Sequence, residues 1–228
     1  MQRFRKWLQA LEELVFPPEE PCGLCRERPA LEVGACRPCL QGLNITWEKG
    51  QVHGYTFFSL FPYQGLGRSL IHSMKFQGRL DIAAAFGRLL GLACREEPEL
   101  AGVDLLVPVP LAPLRLQERG FNQAGVLADN ITRVWKRPLS HQVVRVRETR
   151  PQSGLSLQER RRNLRRAFAL LPGAAFQGKS CLIVDDVITS GQTFYALAKL
   201  IEQHGGRPLG LFAARTEAVG GEGIAEKL

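Results

Sequence analysis

Two groups of residues in this sequence have the types and spacing that chemistry requires. The first is Cys181-Leu-Ile-Val-Asp-Asp-Val-Ile-Thr-Ser-Gly-Gln-Thr193, which reads as an apolar strand, two carboxylates at its C-terminal end, a turn of small residues and then a helix. Ligands of open α/β sheets sit beyond the carboxyl ends of strands, and a helix N-terminus offers unpaired N–H groups and a positive dipole end to an anion. Thr189, Ser190 and Thr193 add hydroxyl donors, while Gly191 lets the backbone approach a phosphate with no Cβ in the way. Asp185 and Asp186 suit the hydroxyls of a ribose, because a carboxylate accepts hydrogen bonds from neighbouring O–H groups. The plain alternative is an acidic strand end followed by an ordinary helix cap at Thr189 or Ser190. The fixed offsets of so many matching residue types argue against it.

The second group is Cys22, Cys25, Cys36 and Cys39, two Cys-x-x-Cys pairs separated by ten residues. Each pair can form a knuckle presenting two sulfurs, and two knuckles close a tetrahedron around a structural zinc with no position left open for catalysis. Without metal, a segment of about 25 residues has too little core to fold alone. Two disulfides or a redox-active pair are the alternatives. Residues 1–15 carry no secretory signal, so a reducing cytoplasm is the expected compartment and zinc the expected ligand. Cys94 and Cys181 fall within apolar patterns and read as core residues. None of the histidines has metal-ligand spacing, and none is assigned a catalytic role; His204 is expected at the negative end of a helix.

These groups need a scaffold, and the 228 residues supply one: 45% are hydrophobic, 23% charged, and no apolar run is long enough to span a membrane. Phe4, Trp7, Leu8, Leu11, Leu14 and Val15 make one stripe of an N-terminal amphipathic helix, ended by the prolines at 17, 18 and 21. From about Tyr55, short β-branched runs alternate with helical patterns, the mark of a parallel sheet covered by helices. Strands are expected near Leu105–Val109, Val143–Val146, Cys181–Val184 and Leu209–Ala213. Helices are expected through Ile82–Ala93, Ala124–Trp135 and Thr193–His204, the last stopped by Gly205-Gly206. The organisation read this way is a helix and linker over 1–18, a cysteine module over 19–45 and an α/β domain over 46–228.

The formal charge of +8 is concentrated in one place, since His141 to Phe168 holds eight arginines against two glutamates. The stretch reads as a solvated face, as a mobile hood over a bound phosphate ester, or as a track for a nucleic-acid backbone.

Val184-Asp-Asp-Val-Ile-Thr-Ser-Gly-Gln-Thr193 resembles the phosphoribosyl pyrophosphate (PRPP) motif of type I phosphoribosyltransferases. The wider order of two CxxC pairs, Met74-Lys-Phe-Gln-Gly78, Val107-Pro-Val-Pro110, Arg119-Gly-Phe-Asn-Gln-Ala124 and Arg160 to Phe168 resembles the ComF competence family, from about Phe16 to Ala214. That resemblance implies a type I phosphoribosyltransferase fold, a central parallel sheet flanked by helices, with a small N-terminal four-cysteine zinc-ribbon module. It implies ribose held by Asp185 and Asp186, a 5′-phosphate wrapped by Thr189, Ser190, Gly191, Gln192 and Thr193, and pyrophosphate near Val109–Asn122. Arg115 and Arg119 are the matching cations there, and Mg²⁺ would accompany the PRPP. The partners implied are PRPP or a nucleotide, single-stranded DNA and other DNA-uptake proteins. Two functions follow as expectations: a PRPP-binding competence protein acting in DNA uptake and natural transformation, or an active Mg-dependent transferase moving ribose 5-phosphate to a nitrogen acceptor. Thr189 stands where purine-salvage enzymes of the superfamily place an aspartate, and a threonine cannot serve as an acid or base near neutral pH.

Overall fold

The computed structural model describes residues 20–31, 33–146 and 167–217. The expected N-terminal helix and most of the arginine-rich stretch, including Arg160 to Arg166, lie outside the described residues.

Helix α1 (Arg37–Gly42) follows the cysteine knuckles, and a hairpin of β1 (Glu48–Val52) and β2 (Tyr55–Pro62) leads into helices α2 (Gly65–Phe76) and α3 (Leu80–Glu96). Then come β3 (Leu105–Pro108), α4 (Pro113–Arg119), α5 (Gln123–Val134), β4 (Val143–Arg145), β5 (Phe168–Leu170), β6 (Ser180–Ile188), α6 (Gln192–Gln203) and β7 (Arg207–Arg215). The main sheet has the order β1-β2-β7-β6-β3. Strands β2, β7, β6 and β3 are parallel, and β1 pairs antiparallel with β2 at the edge.

Strand β6 lies between β7 and β3 and separates two halves of the core. Successive side chains of a strand face opposite ways. Leu182 and Val184 therefore join the cluster of α3 and α5, with Phe86, Leu90, Leu127 and Ile131, whereas Cys181 and Ile183 join Phe194, Leu197, Ile201 and Phe212 on the α6 side. Helices α3 and α5 touch closely: a Cβ at Gly87 would lie 2.6 Å from the Leu127 carbonyl oxygen. Cys94 and Cys181 are buried, as their apolar surroundings predict.

Three features differ from the sequence reading. Val143–Arg145 does not enter the parallel sheet; it pairs antiparallel with Phe168–Leu170 in a separate two-stranded sheet. Strand β6 runs on to Ile188, so the aspartates sit within it, still paired to β7, rather than at its end. Finally, the cysteine segment shares the core of the α/β domain. Cys22, Leu24, Ala35 and Cys36 pack in one cluster with Phe61, Ile71, Met74 and Phe86. The contact is close, since a Cβ at Gly23 would stand 2.8 Å from the Asp81 carbonyl oxygen. Arg79 donates to the carbonyls of Gly23 and Leu24 at 2.9 and 3.2 Å and pairs with Asp81 at 2.8 Å; Arg26 reaches the same carboxylate at 2.6 Å. Burial raises Asp81, but the two guanidiniums outweigh it and hold the carboxyl below its ordinary value.

Candidate functional site

Asp186 is 3% exposed, and its Oδ1 lies 2.9 Å from the ammonium of Lys75 on α2. Its Oδ2 is buried with no hydrogen-bond partner among the described residues. A buried, unpaired carboxylate oxygen costs at least about 1–3 kcal/mol, and a hydroxyl or other donor reaching it would remove that cost. Asp185 accepts the backbone N–H of Asp186 at 2.9 Å. Desolvation by the surrounding protein, followed by the charge of Asp186, raises Asp185 to about 7, with Lys75 pulling it back. The pair is a set of acceptors for a diol.

Lys75 is the residue that sequence reasoning missed. It stood in the Met74–Gly78 motif without a role, because α2 has glycines at 65 and 67 and no strong sequence signal of a helix ending beside Asp186. Its effect on the carboxylates gives a test with a defined sign. An ionised carboxylate accepts from ribose hydroxyls more strongly than a protonated one, so PRPP affinity is expected to rise as pH increases through about 7, where Asp185 ionises. Lys75→Met raises Asp185 further, so the variant's affinity should be depressed most at low pH and recover at about pH 9, while Lys75→Arg stays close to wild type. Calorimetric titrations across that range check it. A loss of equal size at every pH would mean that Lys75 acts only through packing.

Beyond β6, residues Thr189 and Ser190 are exposed and Gly191 is the N-cap of α6, in the left-handed region at φ +68°. No side chain caps the helix, so the ordinary cap considered for Thr189 or Ser190 is not made and the first-turn N–H groups stay open to an anion. A small cavity of 50 Å³ is lined by Asp185, Thr189, Ser190, Gly191, Gln192 and Thr193 among others, so the structure brings these predicted residues together. The tip of the β1–β2 hairpin backs the loop. His53 Nε2 lies 3.2 Å from the Ser190 carbonyl oxygen and 2.9 Å from the Gln192 amide nitrogen, and Val52 packs on Gly191. A Cβ at Gly191 would meet Val52 Cγ2 at 2.6 Å, on a backbone already unfavourable for any side chain. Gly191→Ala is therefore expected to destabilise the protein by about 1–3 kcal/mol, read from urea unfolding midpoints. An unchanged midpoint would show that the loop relaxes freely.

Arg115 and Arg119 on α4 line a larger cavity of 410 Å³ with Lys75, Phe76, Gly78, Glu118 and Phe121. Arg119 Nη1 donates to Gln123 Oε1 at 2.6 Å, at the start of α5. Burial lowers the Arg119 guanidinium from its ordinary value, and Asp186 is the largest opposing influence. Asn122 fixes the geometry, capping α5 through the N–H of Ala124 at 3.2 Å and donating to the Val109 carbonyl at 3.0 Å. Lys75 thus joins the cationic cavity to the carboxylate pair.

The sulfurs of Cys22, Cys25, Cys36 and Cys39 lie within 4.8 Å of one another, Cys25 and Cys36 at 3.8 Å. Bonds of about 2.3 Å to a tetrahedral metal put sulfurs ~3.8 Å apart, whereas a disulfide needs ~2 Å. The set can hold a metal ion such as zinc. Burial raises the Cys22 thiol, yet backbone donors at Cys25, Cys36 and Leu24 bring it down to about 6, whereas burial raises Cys36 and Cys39, the neighbouring sulfurs adding to the rise.

A sheet parallel in all but its edge strand β1, whose strand β6 carries an Asp-Asp pair and feeds a helix without a side-chain cap through a Thr-Ser-Gly turn, is the fold of a phosphoribosyltransferase-type domain, with a four-cysteine cluster at its N-terminal side. The chain belongs to the ComF family of competence proteins. It is 34% identical to competence protein F of Haemophilus influenzae over 81% of this chain and 79% of that protein. It is 40% identical to the DNA utilization protein YhgH of Escherichia coli over 81% of this chain and 73% of that protein. With competence protein ComFC of Bacillus subtilis it shares 28% identity over 64% of this chain and 58% of that one. No family model matches the chain. Among solved structures, adenine phosphoribosyltransferase of Thermoanaerobacter pseudethanolicus overlaps 66% of this chain and 76% of its own with a TM-score of 0.41 and 19% identity. No helix among the described residues is long and apolar enough to cross a membrane.

Proposed function

We propose that this chain is a cytoplasmic PRPP- or nucleotide-binding protein that acts in DNA uptake and natural transformation. The observation that carries the ligand is the buried Asp186 oxygen without a donor, beside Asp185 and ahead of an uncapped helix. Asp185 and Asp186 hold the ribose hydroxyls, residues 189–193 take the 5′-phosphate, and Arg115 and Arg119 face the pyrophosphate with its Mg²⁺. Zinc fills the four-cysteine cluster as a structural ion, and the division into a cysteine module over 19–45 and a ligand-binding domain over 46–228 is part of the reading. DNA and other DNA-uptake proteins are its partners, supported by the relatives named for competence and DNA utilization. Allelic replacement in the parent organism tests the physiological half. Transformation frequency should fall when the gene is deleted and should not be restored by Asp186→Asn; full restoration by that variant would overturn the link between ligand and uptake.

The cavity of Arg115, Arg119 and Lys75 favours a second reading, transfer of ribose 5-phosphate to a nitrogen acceptor with pyrophosphate leaving into that cavity. Pyrophosphate release from PRPP that depends on an added amine or base distinguishes it from binding alone.

A further inference from the structure

The β1–β2 hairpin ends in a two-residue turn, His53-Gly54, closed by the pair Val52 and Tyr55. Both turn residues lie in the left-handed region, at φ +53° and +84°. Asparagine, aspartate or glycine is the favoured residue before the glycine of such a turn, so a histidine there calls for a reason. Burial is not the reason, because His53 is exposed. The turn instead carries the imidazole across to the loop of residues 189–193. Its ring centroid lies 5.1 Å from that of Tyr195 on α6, at 58° between planes, and the adjacent Val52 packs on Gly191.

Nε2 of this ring faces an acceptor and a donor together, the Ser190 carbonyl oxygen at 3.2 Å and the Gln192 amide nitrogen at 2.9 Å. One nitrogen answers only one of them: bare, it accepts from Gln192; carrying hydrogen, it donates to Ser190. The second form acts on the far side of the loop. The Ser190 carbonyl and the Gly191 N–H belong to one planar trans peptide and point in opposite directions. A carbonyl drawn to the hairpin therefore turns that N–H away from it, towards the cavity that Ser190, Gly191 and Gln192 line. The same hydrogen releases the Gln192 NH₂ group as a further donor to that cavity.

We propose that His53 is a positioning residue for the phosphate loop: with hydrogen on Nε2 it holds the Ser190 carbonyl against the hairpin, so that the Gly191 N–H and the Gln192 amide face the anion. This rests on the reading of residues 189–193 as the seat of a 5′-phosphate and adds to it the element that sets their orientation. An anion in the loop selects the Nε2–H form, because only that form offers it both donors.

The test combines calorimetric titration with ribose 5-phosphate, urea unfolding, and ¹⁵N NMR of the imidazole, on wild type, His53→Gly and His53→Gln. Glycine suits the backbone at φ +53°, so His53→Gly should unfold at the same or a higher urea midpoint while binding ribose 5-phosphate about fivefold more weakly. A merely structural role would move stability and affinity down together, and that result overturns the proposal. His53→Gln puts an amide N–H where Nε2–H stands and should bind within about twofold of wild type; a loss as large as that of His53→Gly would remove the donor role. In wild type, the NMR signals should show hydrogen on Nε2 in the ribose 5-phosphate complex, and a bare Nε2 there contradicts the mechanism. Equal affinity in wild type and His53→Gly defeats this proposal alone. Failure of folded wild type to bind ribose 5-phosphate or PRPP contradicts the phosphate reading itself and takes the proposal with it.

Discussion

Asp185→Asn combined with Asp186→Asn is expected to reduce PRPP affinity by about 1–3 kcal/mol for each charged hydrogen bond lost, roughly fivefold to 150-fold per bond, while the protein stays folded. Asparagine keeps the shape of aspartate but halves its acceptors and removes its charge. Folding should tolerate the change because Asp186 is a buried acid with one oxygen lacking a partner and Asp185 is raised to about 7, so neither carboxylate is in its most favourable state in the unliganded protein. The sign can be checked independently. A carboxyl group raised on folding favours the folded state most at low pH, below its unfolded value, and that contribution is lost as pH rises through about 7. The double variant should therefore lose the part of the stability-versus-pH curve that declines between about pH 4 and 7. Unchanged PRPP affinity in the folded double variant would remove the ribose role from both residues.

Cys22→Ser is expected to release the metal and to destabilise the whole domain by several kcal/mol, not only the cysteine segment. Structural zinc contributes about 10–16 kcal/mol of binding free energy in small zinc peptides, all of it coupled to folding. In this protein Cys22 and Cys36 pack with Ile71, Met74 and Phe86, and Arg79 ties the first knuckle to the start of α3. Loss of the ion thus opens a core shared with the helices beside the ligand cavity. Metal analysis should find one zinc per chain in wild type and none in Cys22→Ser, with a thermal midpoint lowered across the whole transition. Zinc-free wild-type protein purified without chelator would contradict the metal; an unchanged midpoint after metal loss would contradict the shared core.

Much of this architecture was legible from the chain because β6 and α6 announce themselves. A run of buried β-branched and aliphatic residues, two acids and a Thr-Ser-Gly turn leave few other conformations, and the four cysteines specify their own cluster. What escaped depended on contacts between distant segments. Lys75 and Asp186 are brought together only by the packing of α2, and His53 reaches Ser190 across 137 positions. Gly191 was read as room for a phosphate; its φ of +68° and its contact with Val52 add a second reason that no local pattern contains. Val143–Arg145 has the composition of a sheet strand, yet its partner Phe168–Leu170 forms a separate ribbon, because strand composition does not specify which strand will pair. The cysteine spacing marks out a module over 19–45, and the apolar residues between the cysteines, Leu24 and Ala35, join it to the core of the α/β domain.

The central claim is that the carboxylate pair and the loop of residues 189–193 form a cradle for a phosphorylated ribose. Calorimetric titration of the purified, zinc-loaded protein with PRPP and Mg²⁺ tests it most directly. Saturable binding of one PRPP per chain, strengthened as pH rises through about 7 and weakened at least tenfold by Asp185→Asn with Asp186→Asn, is the result this account predicts. Absence of saturable PRPP binding by the folded wild-type protein, or binding of equal strength in the double variant, would contradict it.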